Sequence, residues 1–263
     1  MAATETIRIE TPAGLQLAGV VHHPQMEDNR LGVVVAHGML SSKGSDKHRS
    51  ICEAVATGGA TALRFDFRGR GESDGDPAEL TVSNEIEDFL AALSFLRHRG
   101  CEKISGVGSS LGGTVALLAG ARDRGLNGLV TIAAPARLPK GPREAWGGSG
   151  RIADGELIEV APGEFIHRGF FTDAEHHDPI GAARSIGCPW LIVHGAADPV
   201  VPVEDATLLA EASADGELVI HPTAGHRFDQ PEEREWLVEG VAGFLGSFAD
   251  PDSQIASGRG SHL

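Results

Sequence analysis

Short apolar runs alternate with helix-period segments along most of the chain. The run "LGVVVAHG" (31–38) is a compact valine block closed by glycine, the pattern of a strand buried on both faces. "DKHRSICEAVATGG" (46–59) follows with a helical period and a glycine stop, and "ATALRFDF" (60–67) is the next strand. In "SNEIEDFLAALSFLRHRG" (83–100), Ile86, Phe89, Leu90, Leu93 and Leu96 fall on one helical face. Ser83 is its expected N-cap, with acids near the start and Arg97, His98 and Arg99 near the end. "KISGVG" (103–108), "NGLVTIAAP" (127–135), "CPWLIVHG" (188–195) and "GELVIHPT" (216–223) read as further strands. "SLGGTVALLAGARDRG" (110–125), "VEDATLLAEAS" (203–213) and "PEEREWLVEGVAGFLGSF" (231–248) read as helices between and after them. The beginning differs. "TETIRIE" (4–10) and "LQLAGVVHH" (15–23) flank "TPAG", which predicts an antiparallel hairpin. A hairpin followed by strand–helix repeats predicts an α/β sheet with helices on both faces.

One region breaks the rhythm. Residues 137–180 lack a strong core helix and carry two turn signals, Asp154-Gly155 and Pro162-Gly163. They are expected to form an inserted cap with a small β-hairpin element, set into a single domain spanning 1–249. Trp146, Phe165, Phe170 and Phe171 could line a ligand site beneath that cap or anchor it to the core. The segment 250–263 has no apolar period and reads as a mobile tail.

Composition narrows the partners. The 263 residues carry a formal net charge of −15, which repels phosphate backbones and anionic lipid. No nucleic-acid partner and no membrane insertion are expected, and whether the chain forms a homo-oligomer stays open. Cys52, Cys101 and Cys188 sit far apart without a Cys-x-x-Cys pair. Together with a polar N-terminus, that reads as reduced thiols in a cytoplasmic protein. "EHHDP", with His176, His177 and Asp178, is the one candidate metal cluster, and adjacent histidines chelate poorly from one helix face. No metal site is expected.

The chemistry gathers at strand ends, where ligands bind in open parallel sheets. Gly108-x-Ser110-x-Gly112 lies between a strand and a helix, so Ser110 sits on a sharp turn whose neighbours must be tiny. The same pattern recurs at Gly71-x-Ser73-x-Gly75, but a polar loop follows it and no helix starts there. Ser109 would leave the flanking glycines out of register. A serine hydroxyl needs a base held by a third group. His226 in "PTAGHRF" and Asp198 in "HGAADPVVP" each follow a strand, in the order Ser110, Asp198, His226. Asp205 and Glu144 are the other acids weighed for the third role. His221 points along a strand body and reads as structural. Acyl transfer also needs two donors aimed at an oxyanion. The backbone N–H groups of Leu111, beside the nucleophile, and Met39, in the loop after "AHG", are the candidates.

Five pieces, "VVVAHGMLSSK", "LRFDFRGRGESDG", "GVGSSLGGTVAL", "PWLIVHGAADPVVP" and "HPTAGHRF", resemble in content and order the α/β-hydrolase superfamily over nearly all of residues 5–249. The chain is most similar there to the cinnamoyl/feruloyl-esterase-like and serine-aminopeptidase-like hydrolases. The resemblance implies a mostly parallel eight-stranded sheet, a Ser-His-Asp triad and no cofactor. It also implies that "FDFRGRGESDG" shapes the site and holds no second nucleophile. Several esterases of that group carry an aromatic residue where this chain has Met39, so the acyl-pocket wall differs. The reading of function is a serine hydrolase of small or medium esters, of carboxylesterase type. Amide, thioester and C–C bond hydrolysis are alternatives on the same triad, and a non-catalytic binding or scaffold protein is an alternative of another class.

Overall fold

A computed structural model describes residues 2–139, 151–152 and 157–248. The hairpin of β1 (Thr4–Glu10) and β2 (Gln16–His22) is antiparallel, with Thr4 opposite His22. Strand–helix alternation then begins: β3 (Leu31–Ala36), α1 (Asp46–Thr57), β4 (Thr61–Phe65), α2 (Val82–His98), β5 (Lys103–Ser109), α3 (Leu111–Arg122) and β6 (Gly128–Ile132). Three short strands follow, β7 (Arg151–Ile152), β8 (Leu157–Ala161) and β9 (Glu164–His167), then helices α4 (Gly169–Ala174) and α5 (Pro179–Ala183). The chain closes with β10 (Trp190–Gly195), α6 (Val203–Ala212), β11 (Gly216–His221) and α7 (Pro231–Gly246).

The main sheet has eight strands in the order β1-β2-β4-β3-β5-β6-β10-β11. From β4 to β11 all neighbours are parallel, and β2 alone runs against the rest, pairing antiparallel with both β1 and β4. This is the mostly parallel eight-stranded sheet that the resemblance implied. The valine run of β3 explains itself by face. Leu31, Val33 and Val35 enter one core with Ile51 and Val55 of α1 and Leu237 and Val241 of α7. Val34 and Ala36 enter the other with Phe89 and Leu93 of α2 and Val115 of α3. Each of these valines, leucines, isoleucines and Phe89 contributes about 1.5–3 kcal/mol by leaving water, before its ordering entropy is counted.

The chain steps from β3 to β4 on one side, then crosses to the other side of β3 for β5. The strand order thus reverses between β3 and β5, the place where open α/β sheets bind their ligands at the carboxyl ends of the strands. Ala36 lies opposite Gly108 there, which brings His37 and Gly38 beside the β5–α3 turn.

Two local expectations change. Helix α2 begins at Val82 with Thr81, not Ser83, as N-cap; the extended Thr81 accepts the Asn84 N–H on Oγ1 at 3.1 Å. Ser83 sits two residues later and gives its N–H to Asp173 Oδ2 of α4 at 3.0 Å, so an acid from the inserted region supplies part of the cap. That region holds a three-stranded antiparallel sheet, β7-β8-β9. Its Pro162-Gly163 turn falls between β8 and β9, with Gly163 at φ 77, while the Asp154-Gly155 turn lies outside the described residues. Ile158, Ile166, Phe170 and Phe171 are buried in the core that α2 and α3 share. Arg70 of the β4–α2 loop donates to Glu164 of β9 at 2.8 Å. Trp146, Glu144 and the segment 250–263 lie outside the described residues. Among the described residues no helix is long and apolar enough to cross a membrane.

Candidate active site

Ser110 occupies the turn between β5 and α3 at φ 55, ψ −129, a conformation that L-residues avoid. Three contacts hold it there. Its N–H donates to Ile132 O at 2.8 Å, and its carbonyl accepts from Gly113 and Thr114 N–H at 2.8 and 3.2 Å. The flanking glycines are a matter of space. A Cβ on Gly108 would lie 2.1 Å from Gly112 O, and one on Gly112 would lie 2.1 Å from His37 O. Both obstacles are backbone and cannot rotate away. This gives a prediction of reversed sign. In a helix interior, glycine to alanine normally stabilises by about 1 kcal/mol. Gly112→Ala is instead expected to destabilise by about 1–3 kcal/mol through overpacking, read as a lowered melting temperature by circular dichroism. A raised melting temperature would contradict the packing.

The hydroxyl of Ser110 makes no capping bond and turns toward His226, whose Nε2 is 3.0 Å from Oγ. The other ring nitrogen, Nδ1, is 2.7 Å from Asp198 Oδ2. A carboxylate only accepts, so Nδ1 carries the proton and Nε2 is free to accept from the serine. The loops bearing these residues are tied together: the Ala197 N–H donates to Ala224 O at 3.1 Å, and the Ala196 N–H to His221 O at 2.8 Å. His221 accepts the Ala224 N–H on Nδ1 at 3.0 Å and so shapes the His226 loop. Asp198 is fully buried on its side chain. Burial pushes its carboxyl up, but bonds from His194, His226 and the Val201 and Val200 amides outweigh this and hold it well below the usual carboxylate range.

On the other side of Ser110 runs the His37–Lys43 loop. A Cβ on Gly38 would lie 2.8 Å from Ser110 Cβ, so glycine lets this loop press against Ser110. Met39 follows directly, and Leu111 begins α3. Among the described residues neither amide has a protein acceptor. His37 donates from Nδ1 to Gly38 O at 2.8 Å and accepts the Phe67 N–H on Nε2 at 3.1 Å. Burial pulls it down to about 4, so it stays neutral and serves as a strut for the loop.

Taken together, a strained serine, an oriented imidazole, an ionised acid and two unused amides stand at a strand-order reversal. A model of the alpha/beta hydrolase family matches residues 33–239. The chain belongs to that family. Among the relatives of this alpha/beta hydrolase is human palmitoyl-protein thioesterase ABHD10, mitochondrial, 26% identical over 79% of this chain and 70% of that protein. Another is the monoacylglycerol lipase of Mycolicibacterium smegmatis, 27% identical over 79% of this chain and 85% of that protein. Among solved structures, ferulic acid-bound Est1E from Butyrivibrio proteoclasticus superposes with a TM-score of 0.82 at 23% identity, covering 95% of this chain and 100% of its own. Mouse alpha/beta hydrolase domain-containing protein 10 does so at 0.73 and 24% identity, covering 92% and 98%. At these identities the superpositions speak to the fold. The expected cytoplasmic location has no counterpart in these names, and the human thioesterase's name places it in mitochondria.

The other residues singled out in the hydrolase's sequence fall elsewhere. Ser73 is spent on structure: its Oγ donates to Asp66 O at 2.6 Å and accepts the Ala18 N–H at 2.8 Å. Asp205 pairs with Arg137 and accepts the Ala136 N–H at 2.9 Å, with no bond to His226. His176, His177 and Asp178 do not converge. His176 bonds to Thr172 O, His177 to Ser83, and Asp178 caps α5. Phe170 and Phe171 stack edge-to-face with their centroids 5.3 Å apart and are buried, which is the packing of anchors; Phe165 is half-buried on β9.

Three groups escaped sequence reasoning. His194, inside β10, shares its Nε2–H between Val201 O at 3.0 Å and Asp198 Oδ2 at 3.3 Å. A histidine interrupting "LIVHG" was the available signal. Lys43 donates from Nζ to Asp66 and Glu72, each at 2.5 Å, and from its N–H to Asp66 at 2.7 Å, which pins the Met39 loop to β4. Burial acts to lower that lysine's pKa, yet the two carboxylates prevail and raise it, so the pin stays charged. The third is Lys47, buried in the first turn of α1 with Nζ 2.7 Å from Ser109 Oγ.

Proposed function

We propose that this alpha/beta hydrolase cleaves carboxylic esters of small or medium acyl groups through an acyl-enzyme on Ser110. The observation that carries the reading is the unbroken hydrogen-bonded row Ser110–His226–Asp198, at 3.0 and 2.7 Å, at the carboxyl ends of the strands beside the sheet's strand-order reversal. Ser110 Oγ attacks the ester carbonyl while His226 Nε2 takes its proton. The Met39 and Leu111 N–H groups hold the oxyanion, aided by the positive end of α3. The imidazolium then gives its proton to the leaving alcohol, and the acyl group stays on Ser110. Water, relieved of a proton by the same nitrogen, attacks the acyl-enzyme and releases the acid. Asp198 remains a carboxylate throughout; it fixes the tautomer and offsets the imidazolium charge.

The inserted region is the proposed cover for the acyl tail, since among its described residues Glu164 is bound to Arg70 of the β4–α2 loop and Asp173 to Ser83 of α2. A second reading, thioester cleavage, is favoured by the thioesterase relative. The same machinery serves both, because the tetrahedral step is shared. A non-catalytic scaffold has no use for an ordered three-residue row beside unused amide donors. The net charge of −15 fits a small-molecule substrate better than a polyanion. The test is a panel of p-nitrophenyl esters, methyl hydroxycinnamates, acyl thioesters and aminoacyl anilides on purified protein, with fluorophosphonate labelling in parallel. Ester turnover and labelling are expected. An unlabelled, inactive but folded protein would favour the scaffold.

A further inference from the structure

Lys47 stands where a lysine is costly. It is the second residue of α1, at the positive end of the helix dipole. It is also buried, and no carboxylate among the described residues pairs with it directly. Its one hydrogen-bond acceptor among the described residues is Ser109 Oγ, the residue before the nucleophile. The ammonium also lies 6.0 Å from the centroid of the Phe228 ring, within the outer reach of a cation–π contact. Phe228 is two residues beyond His226, buried, at φ 54, and stacks parallel to Trp236 of α7. One side chain thus spans the turn that carries Ser110 and the loop that carries His226.

Resting on the ester-hydrolase reading above, we infer that Lys47 is a positioning residue: its ammonium ties the Ser109–Ser110 turn to the His226 loop and lends positive charge beneath the developing oxyanion. The groups facing it are Asp229 and Arg227 in the His226 loop, Asp198 after β10, and His48 beside it on α1. Burial pulls Lys47 down to about 8, Asp229 and Asp198 act to raise it, and Arg227 acts to lower it. The ammonium is therefore present at neutral pH and lost on the alkaline side, well before an exposed lysine would lose its own. The sign for stability is the reverse. A folded-state pKa below the unfolded value means that the folded state disfavours the charged form. At neutral pH the charge weakens the fold, and that penalty fades as pH rises from about 8 toward the unfolded lysine's about 10.4.

Activity and stability should therefore part company in Lys47→Met. Its kcat/KM for p-nitrophenyl acetate at pH 7 is expected to fall about tenfold, less than the about 10²–10³ of a lost oxyanion donor. Its melting temperature should hold or rise, and Ser110 should still take the fluorophosphonate. Wild type should lose activity through about pH 8 as Lys47 deprotonates, and Lys47→Met should lack that limb. Ser109→Ala, which removes the acceptor and keeps the charge, should lower kcat and retain the limb. The inference is overturned if the alkaline limb persists unchanged in Lys47→Met, or if that variant loses activity and melting temperature together. Failure of the underlying reading is seen separately, as Ser110→Ala that still turns over ester or still takes the probe.

Discussion

Ser110→Ala is expected to lower ester turnover by about 10⁵–10⁶-fold, about 7–8 kcal/mol of barrier at 1.36 kcal/mol per tenfold. The size follows from what is lost. Without Oγ the proposed acyl-enzyme cannot form, and His226 Nε2 loses the hydroxyl that it faces at 3.0 Å. Only the amide donors and binding remain, and they favour direct attack by water weakly. Fluorophosphonate labelling should disappear, because the probe reports an activated serine. Ser73→Ala is the control. Its hydroxyl bridges Asp66 O and the Ala18 N–H, so its loss should loosen the β4–α2 loop and leave labelling intact. A dead, unlabelled Ser73→Ala beside an active Ser110→Ala would reverse the assignment.

Asp198→Asn is expected to cost about 10²–10⁴ in kcat, against roughly 10⁴ for the corresponding change in a serine protease. The four bonds to Asp198 explain why the amide fits badly. Oδ1 accepts the Val200 and Val201 N–H groups at 2.8 and 2.9 Å. Oδ2 faces Nδ1 of His226 at 2.7 Å and Nε2 of His194 at 3.3 Å. Both sides of the carboxylate meet donors. An asparagine must turn its NH₂ toward one of them, so either two backbone amides or two imidazoles confront a donor. If the imidazoles do, His226 is driven to the wrong tautomer and Nε2 can no longer accept from Ser110. The measurement is kcat on folded protein, checked by circular dichroism. Asp205→Asn, which disturbs the Arg137 and Ala136 contacts instead, should spare kcat. Near-normal kcat in Asp198→Asn would place the acid elsewhere.

The sheet was legible because its strands are short, apolar and punctuated by glycine. Ser110, Asp198 and His226 were legible because each sits in the turn or loop that follows such a strand, and parallel strands bring their carboxyl ends together. Lys47 was not, because a lysine in the polar first turn of an amphipathic helix looks solvated. Only the folded chain brings its Nζ to Ser109 Oγ, sixty-two residues away in sequence. His194 was hidden for a related reason: in sequence it is one polar residue in a buried strand, and its partner is defined by the loop that follows. The N-cap of α2 was misplaced because Thr81 starts the helix two residues earlier and accepts the Asn84 N–H, while the N–H of Ser83 itself goes to Asp173, ninety residues away.

The backbone of Ser110, at φ 55 and ψ −129, has a consequence for any laboratory evolution of this protein. Such a conformation costs of order 1–3 kcal/mol for a residue with a Cβ, and glycine adopts it freely. Glycine at this position would therefore relax the fold while discarding the hydroxyl proposed as nucleophile. A library screened only for heat resistance or soluble yield would enrich inactive clones at this codon, and the most robust survivors would be the least useful. Thermal selection on this scaffold needs a turnover screen running beside it.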